Sequence, residues 1–216
     1  MELKDFLEKV NPHKITNGAP PWDFNKRHEW ESKQLYTVFE KLSNHSHILD
    51  YGCGSNGTLR HTLFNHYPYS NYYGLEIRNN HSDNDGFTKY EKDNVYFGYD
   101  DELELILGKI DAMILGSVFT HLTTEKIEEI LDKTLPYYDR GFQIGFSFFE
   151  SEEIIYYRNN EYSSESFWIV TLTKDFLHNY CDKNNLKLVI HDFVQELDHK
   201  IDLGLTYQSF ATIKRV

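Results

Sequence analysis

His47-Ile48-Leu49-Asp50-Tyr51-Gly52-Cys53-Gly54-Ser55-Asn56-Gly57 is the stretch on which the fold turns. An apolar run suited to a strand passes into a glycine-rich turn, and Thr58–His66 behind it reads as a helix. Glycines here let the backbone reverse sharply and let a ligand come close to the main chain. The helix start would add N–H groups able to hold a carboxylate or phosphate. Nineteen residues beyond Gly57 stands Glu76, at the tip of Tyr72-Tyr73-Gly74-Leu75-Glu76-Ile77. An acid at the end of a second strand can accept hydrogen bonds from two ribose hydroxyls. Loop and acid together indicate an adenosine-containing ligand, without separating a dinucleotide from other adenosine cofactors. The plainer alternative is a surface Glu beside an ordinary left-handed glycine turn.

Outward from that stretch, apolar runs alternate with helical patterns. The runs are His47–Tyr51, Asn71–Ile77, Asn94–Gly98, Asp111–Gly116, Gly141–Phe149, Leu186–Phe193 and Tyr207–Lys214, seven expected strands. Thr123–Leu135 has Ile127, Ile130, Leu131 and Leu135 on one face, with Thr123 as N-cap. Thr173–Asn184 carries Phe176, Leu177, Tyr180 and Cys181 and stops at Asn184-Asn185. The last two strands have only a short polar connection, which predicts an antiparallel hairpin. Upstream, Leu3, Phe6, Leu7 and Val10 fall at helical spacing, Asn11–Asn25 reads as a loop, and Arg27–Leu42 as a second helix. Asn79–Asn94 reads as polar loop. Alternating strands and helices predict an α/β fold with a largely parallel sheet between helical layers.

With 216 residues, 40% hydrophobic and 16% aromatic, the chain suits one domain with a substantial core. There is no run of 18 apolar residues and no basic-then-apolar leader in Met1-Glu2-Leu3-Lys4-Asp5, so no membrane association is expected. Two cysteines, Cys53 and Cys181, make no disulfide framework, which fits a reducing cytoplasm. Formal charge is −12, with 22 Lys+Arg against 34 Asp+Glu and no basic cluster, so nucleic acid is not an expected partner. A homodimer is left open.

Ile48-Leu49-Asp50-Tyr51-Gly52-Cys53-Gly54 resembles the first motif of class I S-adenosylmethionine (SAM)-dependent methyltransferases, an apolar strand followed by Asp-x-Gly-x-Gly. Tyr73–Ile77 resembles the second motif, and Ile110–Leu122 the fourth strand with its following loop. Gly141–Phe149 resembles the fifth strand, and Leu172–Phe193 the helix and strand after it. The resemblance runs from about Ser46 to the C-terminus. It implies a Rossmann-like three-layer sandwich whose seven-stranded, mostly parallel sheet has an antiparallel last strand. It also implies an N-terminal helical or lid segment at 1–45 and a methyltransferase domain at 46–216, one compact domain overall. The cofactor residues carried over are Asp50, Gly52, Gly54, Gly57, Glu76, Ile77, Asp100 or Asp101, Gly116 and Ser117. The glycine loop would face the methionine portion of SAM, Glu76 the ribose, and Asp100 or Asp101 the adenine. Gly57 stands one position later than in the commonest form of the loop.

Methyl transfer asks the protein to align a nucleophile behind an activated methyl and to exclude water. A hydroxyl acceptor would be helped by a base. His121 is the first candidate, because it follows the fourth strand at the edge where ligands bind; the alternative is a His that caps or packs. His191 and His199 rank behind it. Glu150–Trp168, with Tyr156, Tyr157 and Trp168, is a candidate acceptor-recognition segment, or else a flap packed on the core. Trp22 is a candidate lid residue. Ala19-Pro20-Pro21-Trp22 resembles the Asp/Asn-Pro-Pro-Tyr/Trp motif of adenine amino-methylases, but Ala in first place removes the polar group that motif needs. The one His-x-His, His45-Ser46-His47, precedes the first strand at the edge opposite the glycine loop and reads as a surface turn, so no metal is expected, although carboxylates alone leave a magnesium-dependent enzyme open. The expectation is a methyltransferase acting on a small molecule or glycan precursor, at oxygen. The alternatives are an N-methyltransferase on a small amine or protein side chain, a non-catalytic SAM-binding partner subunit, and, more distantly, an NAD-dependent oxidoreductase.

Overall fold

The structure, a computed structural model, describes residues 46–53, 71–76, 95–158, 168–196 and 207–216, with backbone alone at 95–99, 157–158, 168–169, 192–196 and 207–208. The expected helices at Leu3–Val10, Arg27–Leu42 and Thr58–His66, the 1–45 boundary, and the loop at Asn79–Asn94 lie outside the described residues.

Five strands run parallel: β1 (His47–Tyr51), β2 (Asn71–Glu76), β3 (Val95–Tyr99), β4 (Ala112–Leu115) and β5 (Gln143–Glu150). Beyond β5 lie β8 (Leu186–Glu196) and β9 (Tyr207–Arg215). β9 sits between β5 and β8 and is antiparallel to both, so β8 keeps the direction of the first five. Across the sheet the core order is β3-β2-β1-β4-β5-β9-β8. This is the seven-stranded sheet with an antiparallel last strand that the sequence led us to expect.

The central strands are buried on both faces. All of Ala112–Leu115 and all of Gln143–Phe149 are buried, as helix-covered parallel strands require. One face carries Leu49, Leu75, Met113, Leu115, Ile144 and Phe146. Packed on it are α2 (Thr124–Thr134), α3 (Lys174–Lys183) and the short α1 (Leu103–Leu107).

Helix α2 buries Ile127, Ile130, Leu131 and Thr134, the i, i+3, i+4, i+7 stripe of an amphipathic helix. Each large apolar side chain so buried stabilises by about 1.5–3 kcal/mol. The Thr123 hydroxyl accepts the Lys126 N–H at 3.4 Å, so the expected cap is in place. A two-turn 3-10 extension, Leu135–Arg140, ends at Gly141 with φ +84°. α3 is capped in the same way, with Phe176 N–H donating to Thr173 at 3.0 Å. It ends at Asn184, followed by Asn185 at φ +53°, a conformation Asn tolerates better than most residues.

The segment after β5, expected as an acceptor-recognition segment or a packed flap, contains two strands that the sequence did not predict. Tyr156–Arg158 forms β6 and Trp168–Leu172 forms β7, paired antiparallel. β7 also continues the sheet, pairing parallel with Phe149 and Glu150 at the end of β5. Thr171 organises this corner: its hydroxyl accepts from Ile155 N–H and donates to the Glu153 carbonyl, both at 2.9 Å.

Among the described residues no helix is long and apolar enough to cross a membrane. None of their His, Cys, Asp and Glu side chains form a group of three or more able to hold a metal.

Candidate functional site

The sheet order places a topological switch between β1 and β4. From β1 the chain builds outward through β2 and β3, then returns to build β4 and β5 on the other side. The carboxyl ends of strands at such a point flank a crevice, the usual ligand position in open α/β sheets. Register aligns the candidate residues there. Leu75 pairs with Tyr51, and the next residues are Glu76 and Gly52. Glu76 pairs with Tyr99, after which comes Asp100. Ile114 pairs with Asp50, two residues before Gly116. Asp50, Gly52, Glu76, Asp100 and Gly116 thus lie along one edge, although the sequence spreads them over 67 positions from first to last.

The glycine turn has a specific steric cause. Gly52 has φ +72°, and both its N–H and that of Cys53 donate to the Leu75 carbonyl, at 2.7 and 3.0 Å. A Cβ on Gly52 would lie 2.6 Å from Val118 Cγ2. The position therefore needs glycine twice, for its backbone angle and for the approach of the β4 turn.

Asp50 and Glu76 are both buried, 4% and 5% exposed. Burying a carboxylate is costly without donors. For Asp50 the donor is Tyr72, whose hydroxyl reaches Oδ2 at 2.5 Å and braces β1 to β2 below the turn. Beside them the Tyr51 phenol is pushed above its ordinary range, first by burial, then by the negative charges of Asp100, Glu129 and Glu76. Glu76 and Asp100 therefore contribute to one negative field at the ends of β2 and β3. Asp101 is exposed in the turn Asp100–Glu102 that follows β3, whereas Asp100 is half-buried.

After β4, Ser117 takes φ +56°, a left-handed conformation costing a non-glycine residue about 1–2 kcal/mol. Its N–H donates to Ser147 Oγ at 2.8 Å, and its carbonyl accepts the Thr120 hydroxyl at 2.7 Å. Phe119–His121 forms a single tight turn, with Phe119 buried against Phe146 at 4.8 Å between ring centroids. His121 ends that turn, exposed to solvent. Next to it, Thr124 Oγ1 lies 2.7 Å from the Tyr156 hydroxyl. Tyr156 thus joins β6 to the start of α2, beside His121, with 41% of its surface exposed.

Of the other candidates, Trp22, Gly54, Gly57, Ile77 and His199 lie outside the described residues. Tyr157 and Trp168 belong to β6 and β7. His191 sits on β8, with Nε2 2.8 Å from Thr212 Oγ1 on β9. Ser147, Val118 and Tyr72 were not singled out from the sequence. For Ser147 a signal existed: it is the one hydroxyl in the apolar run Ile144–Phe149.

No protein-family model and no curated protein matches the chain. Solved structures do. Magnesium protoporphyrin IX methyltransferase from Synechocystis PCC 6803, with bound S-adenosylhomocysteine, aligns with TM-score 0.59 and 14% identity over 99% of this chain and 94% of that one. A SAM-dependent methyltransferase from Methanosarcina mazei aligns with TM-score 0.57 and 13% identity over 85% and 97%. Human N-acetylserotonin methyltransferase in complex with SAM aligns with TM-score 0.55 and 16% identity. There the match covers 86% of this chain, which spans about half (52%) of that enzyme. At these identities the shared property is the fold: the chain has the Rossmann-like architecture of class I SAM-dependent methyltransferases, as its motifs led us to expect.

Proposed function

We propose that this chain, built on the fold of SAM-dependent methyltransferases, is itself one, transferring the methyl group of SAM to oxygen on a small molecule or glycan precursor. The observation that carries this reading is the alignment of Gly52, Glu76, Asp100 and Gly116 along the strand ends at the switch point. The residues fit the cofactor chemically. Glu76 is an acceptor-only carboxylate at a strand tip, suited to the two hydroxyl donors of a ribose. Gly52, with Gly54 and Gly57, would face the methionine portion. Ile77, with Asp100 or Asp101, would border the adenine, and Gly116 and Ser117 the opposite wall. SAM, when bound, supplies a methyl already activated by its sulfonium.

The protein's own part is alignment, exclusion of water and removal of the acceptor's proton. His121 Nδ1 or Nε2 would be the proton acceptor, a reading supported by its place at the end of the turn after β4. Tyr157 and Trp168, on the β6–β7 pair, contribute acceptor recognition. Tyr156, with its hydroxyl held by Thr124, would offer the acceptor its ring. The segment 1–45, with Trp22, would serve as a lid for the domain at 46–216. The protein works in the reducing cytoplasm.

Calorimetric titration with SAM, S-adenosylhomocysteine and NAD tests the reading. Micromolar binding of either SAM species without NAD is expected. Glu76→Ala should weaken it by about 1.5–3 kcal/mol, the scale of hydrogen bonds to a charged group. Binding of NAD alone, or unchanged affinity in Glu76→Ala, would overturn the assignment.

A further inference from the structure

We infer that Ser147 is a positioning residue for the cofactor turn, acting through Ser117 and Val118 on the backbone of Gly52. The inference rests on the SAM reading above. Ser147 is fully buried, between Phe146 and Phe148 in a strand that is otherwise apolar here. Packing alone would be served there by alanine. Its hydroxyl oxygen is the acceptor for the Ser117 N–H, thirty residues away in sequence.

Ser117 needs such a restraint. Among the described residues only Ser117 and Asn185 combine a side chain with positive φ, and Ser117 lies at the site edge. Serine prefers to leave the left-handed region, and it stays only where its surroundings over-determine it. Two of its bonds do so here: its N–H donates to Ser147 Oγ, and its carbonyl accepts the Thr120 hydroxyl. The next residue, Val118, fills the space a Gly52 Cβ would occupy. The chain of contact therefore runs from the Ser147 hydroxyl to Ser117, to Val118, and to Gly52 in the glycine turn. Without the Ser147 acceptor, the Ser117 peptide loses a buried partner and relaxes toward negative φ. Val118 moves with it, and the groove between the β1 and β4 ends changes width.

Glycine tolerates positive φ without restraint. Ser117→Gly should therefore restore the turn where Ser147 no longer holds it, an outcome a merely packed Ser147 would not give.

The experiment combines S-adenosylhomocysteine titration with amide hydrogen exchange, on the wild type, Ser147→Ala, and Ser147→Ala with Ser117→Gly. Ser147→Ala should weaken binding about tenfold and speed exchange at Ser117–Thr120 about tenfold, with β4 itself unchanged. Measured against Ser117→Gly alone as a fourth protein, the double variant should bind within about threefold of that single variant, because glycine holds positive φ without the Ser147 acceptor. Should Ser147→Ala not fold, Ser147→Cys keeps the shape with a weaker acceptor and should shift both readouts in the same direction. Unchanged exchange at the turn, or a Ser147→Ala effect on binding that is just as large on the Ser117→Gly background, overturns the inference. Failure of the wild type to bind would instead count against the cofactor reading, and exchange at Ser117–Thr120 would still decide whether Ser147 holds the turn.

Discussion

Gly52→Ala is the substitution whose consequence can be worked most fully. The new methyl would meet Val118 Cγ2 at 2.6 Å, and the residue would be left at φ +72°. A left-handed alanine costs about 1–2 kcal/mol. Forcing a methyl into a filled site costs about 1–3 kcal/mol more. Together these give a loss of about 2–5 kcal/mol, a large share of a domain's total stability. The two contributions can be separated, because the overlap is with one side chain. Val118→Ala removes Cγ2 and alone should cost about 1.5–2.5 kcal/mol, for two methyl groups at a buried position. If the clash is real, the double variant should be about 1–3 kcal/mol more stable than the sum of the single losses predicts. Urea unfolding of the four proteins measures this, provided the denaturant slope is unchanged. Additive losses would refute the reasoning, leaving the backbone angle as the sole reason for glycine. S-adenosylhomocysteine titration on the same proteins should show the double variant still weakened, since Val118 is what the turn presents to Gly52.

His121→Ala should lower turnover while leaving S-adenosylhomocysteine affinity within about twofold, because the exposed ring is not among the groups assigned to the cofactor; parallel loss of both would assign His121 to the wall instead. Tyr138 is 1% exposed, and among the described residues its hydroxyl has no hydrogen-bond partner. Tyr138→Phe should therefore be neutral or stabilising by about 1 kcal/mol in urea unfolding, and a loss above that size would reveal a partner. Cys181 is a buried thiol whose pKa is pushed up to about 12, first by burial and then by the Asp182 charge. A folded pKa raised above the unfolded one gives stability that is whole below the unfolded value and lost as pH rises toward the folded one. Stability should therefore fall between about pH 8.5 and 12 at up to about 1.4 kcal/mol per unit. The decline should be shallower in Cys181→Ala; equal slopes across that window would count against the buried thiol as a cause.

The sequence was informative where burial is continuous. Ile48–Tyr51 and Ala112–Leu115 lie within the apolar runs of the expected strands; β1 ends where its run ends and β4 one residue inside its run. Thr123 was equally readable as a cap, because a cap needs only its own hydroxyl and an N–H three residues on; Thr173, the first residue of an expected helix, caps in the same way although it was not read as a cap. The β6–β7 pair was not readable as strands. Its corner is fixed by Thr171 hydroxyl bonds to Ile155 and Glu153, which leave no local periodicity. At five residues, α1 is too short for a stripe to repeat. In the site, Gly52 and Glu76 could be found from their spacing. The Ser147–Ser117 bond could not, since it joins residues thirty apart that meet only once β4 and β5 are paired. The Gly52–Val118 approach has the same character. It depends on β1 and β4 lying side by side, which neither segment announces alone.

The interior position of β9 has a consequence for how the molecule is made. Residues 207–215 slot between β5 and β8, so that side of the sheet cannot zip up in the order of synthesis. Until that stretch leaves the ribosome, the flank of β5 from Ile144 to Phe148 is bare, with three large apolar side chains in alternation. An unpaired edge of this composition is a template for another chain. Nascent copies should therefore be most prone to stick to one another after Gln143–Glu150 has emerged and before residues 207–215 have joined it. A slowed stretch of translation there would lower the yield of folded protein without altering a single native contact.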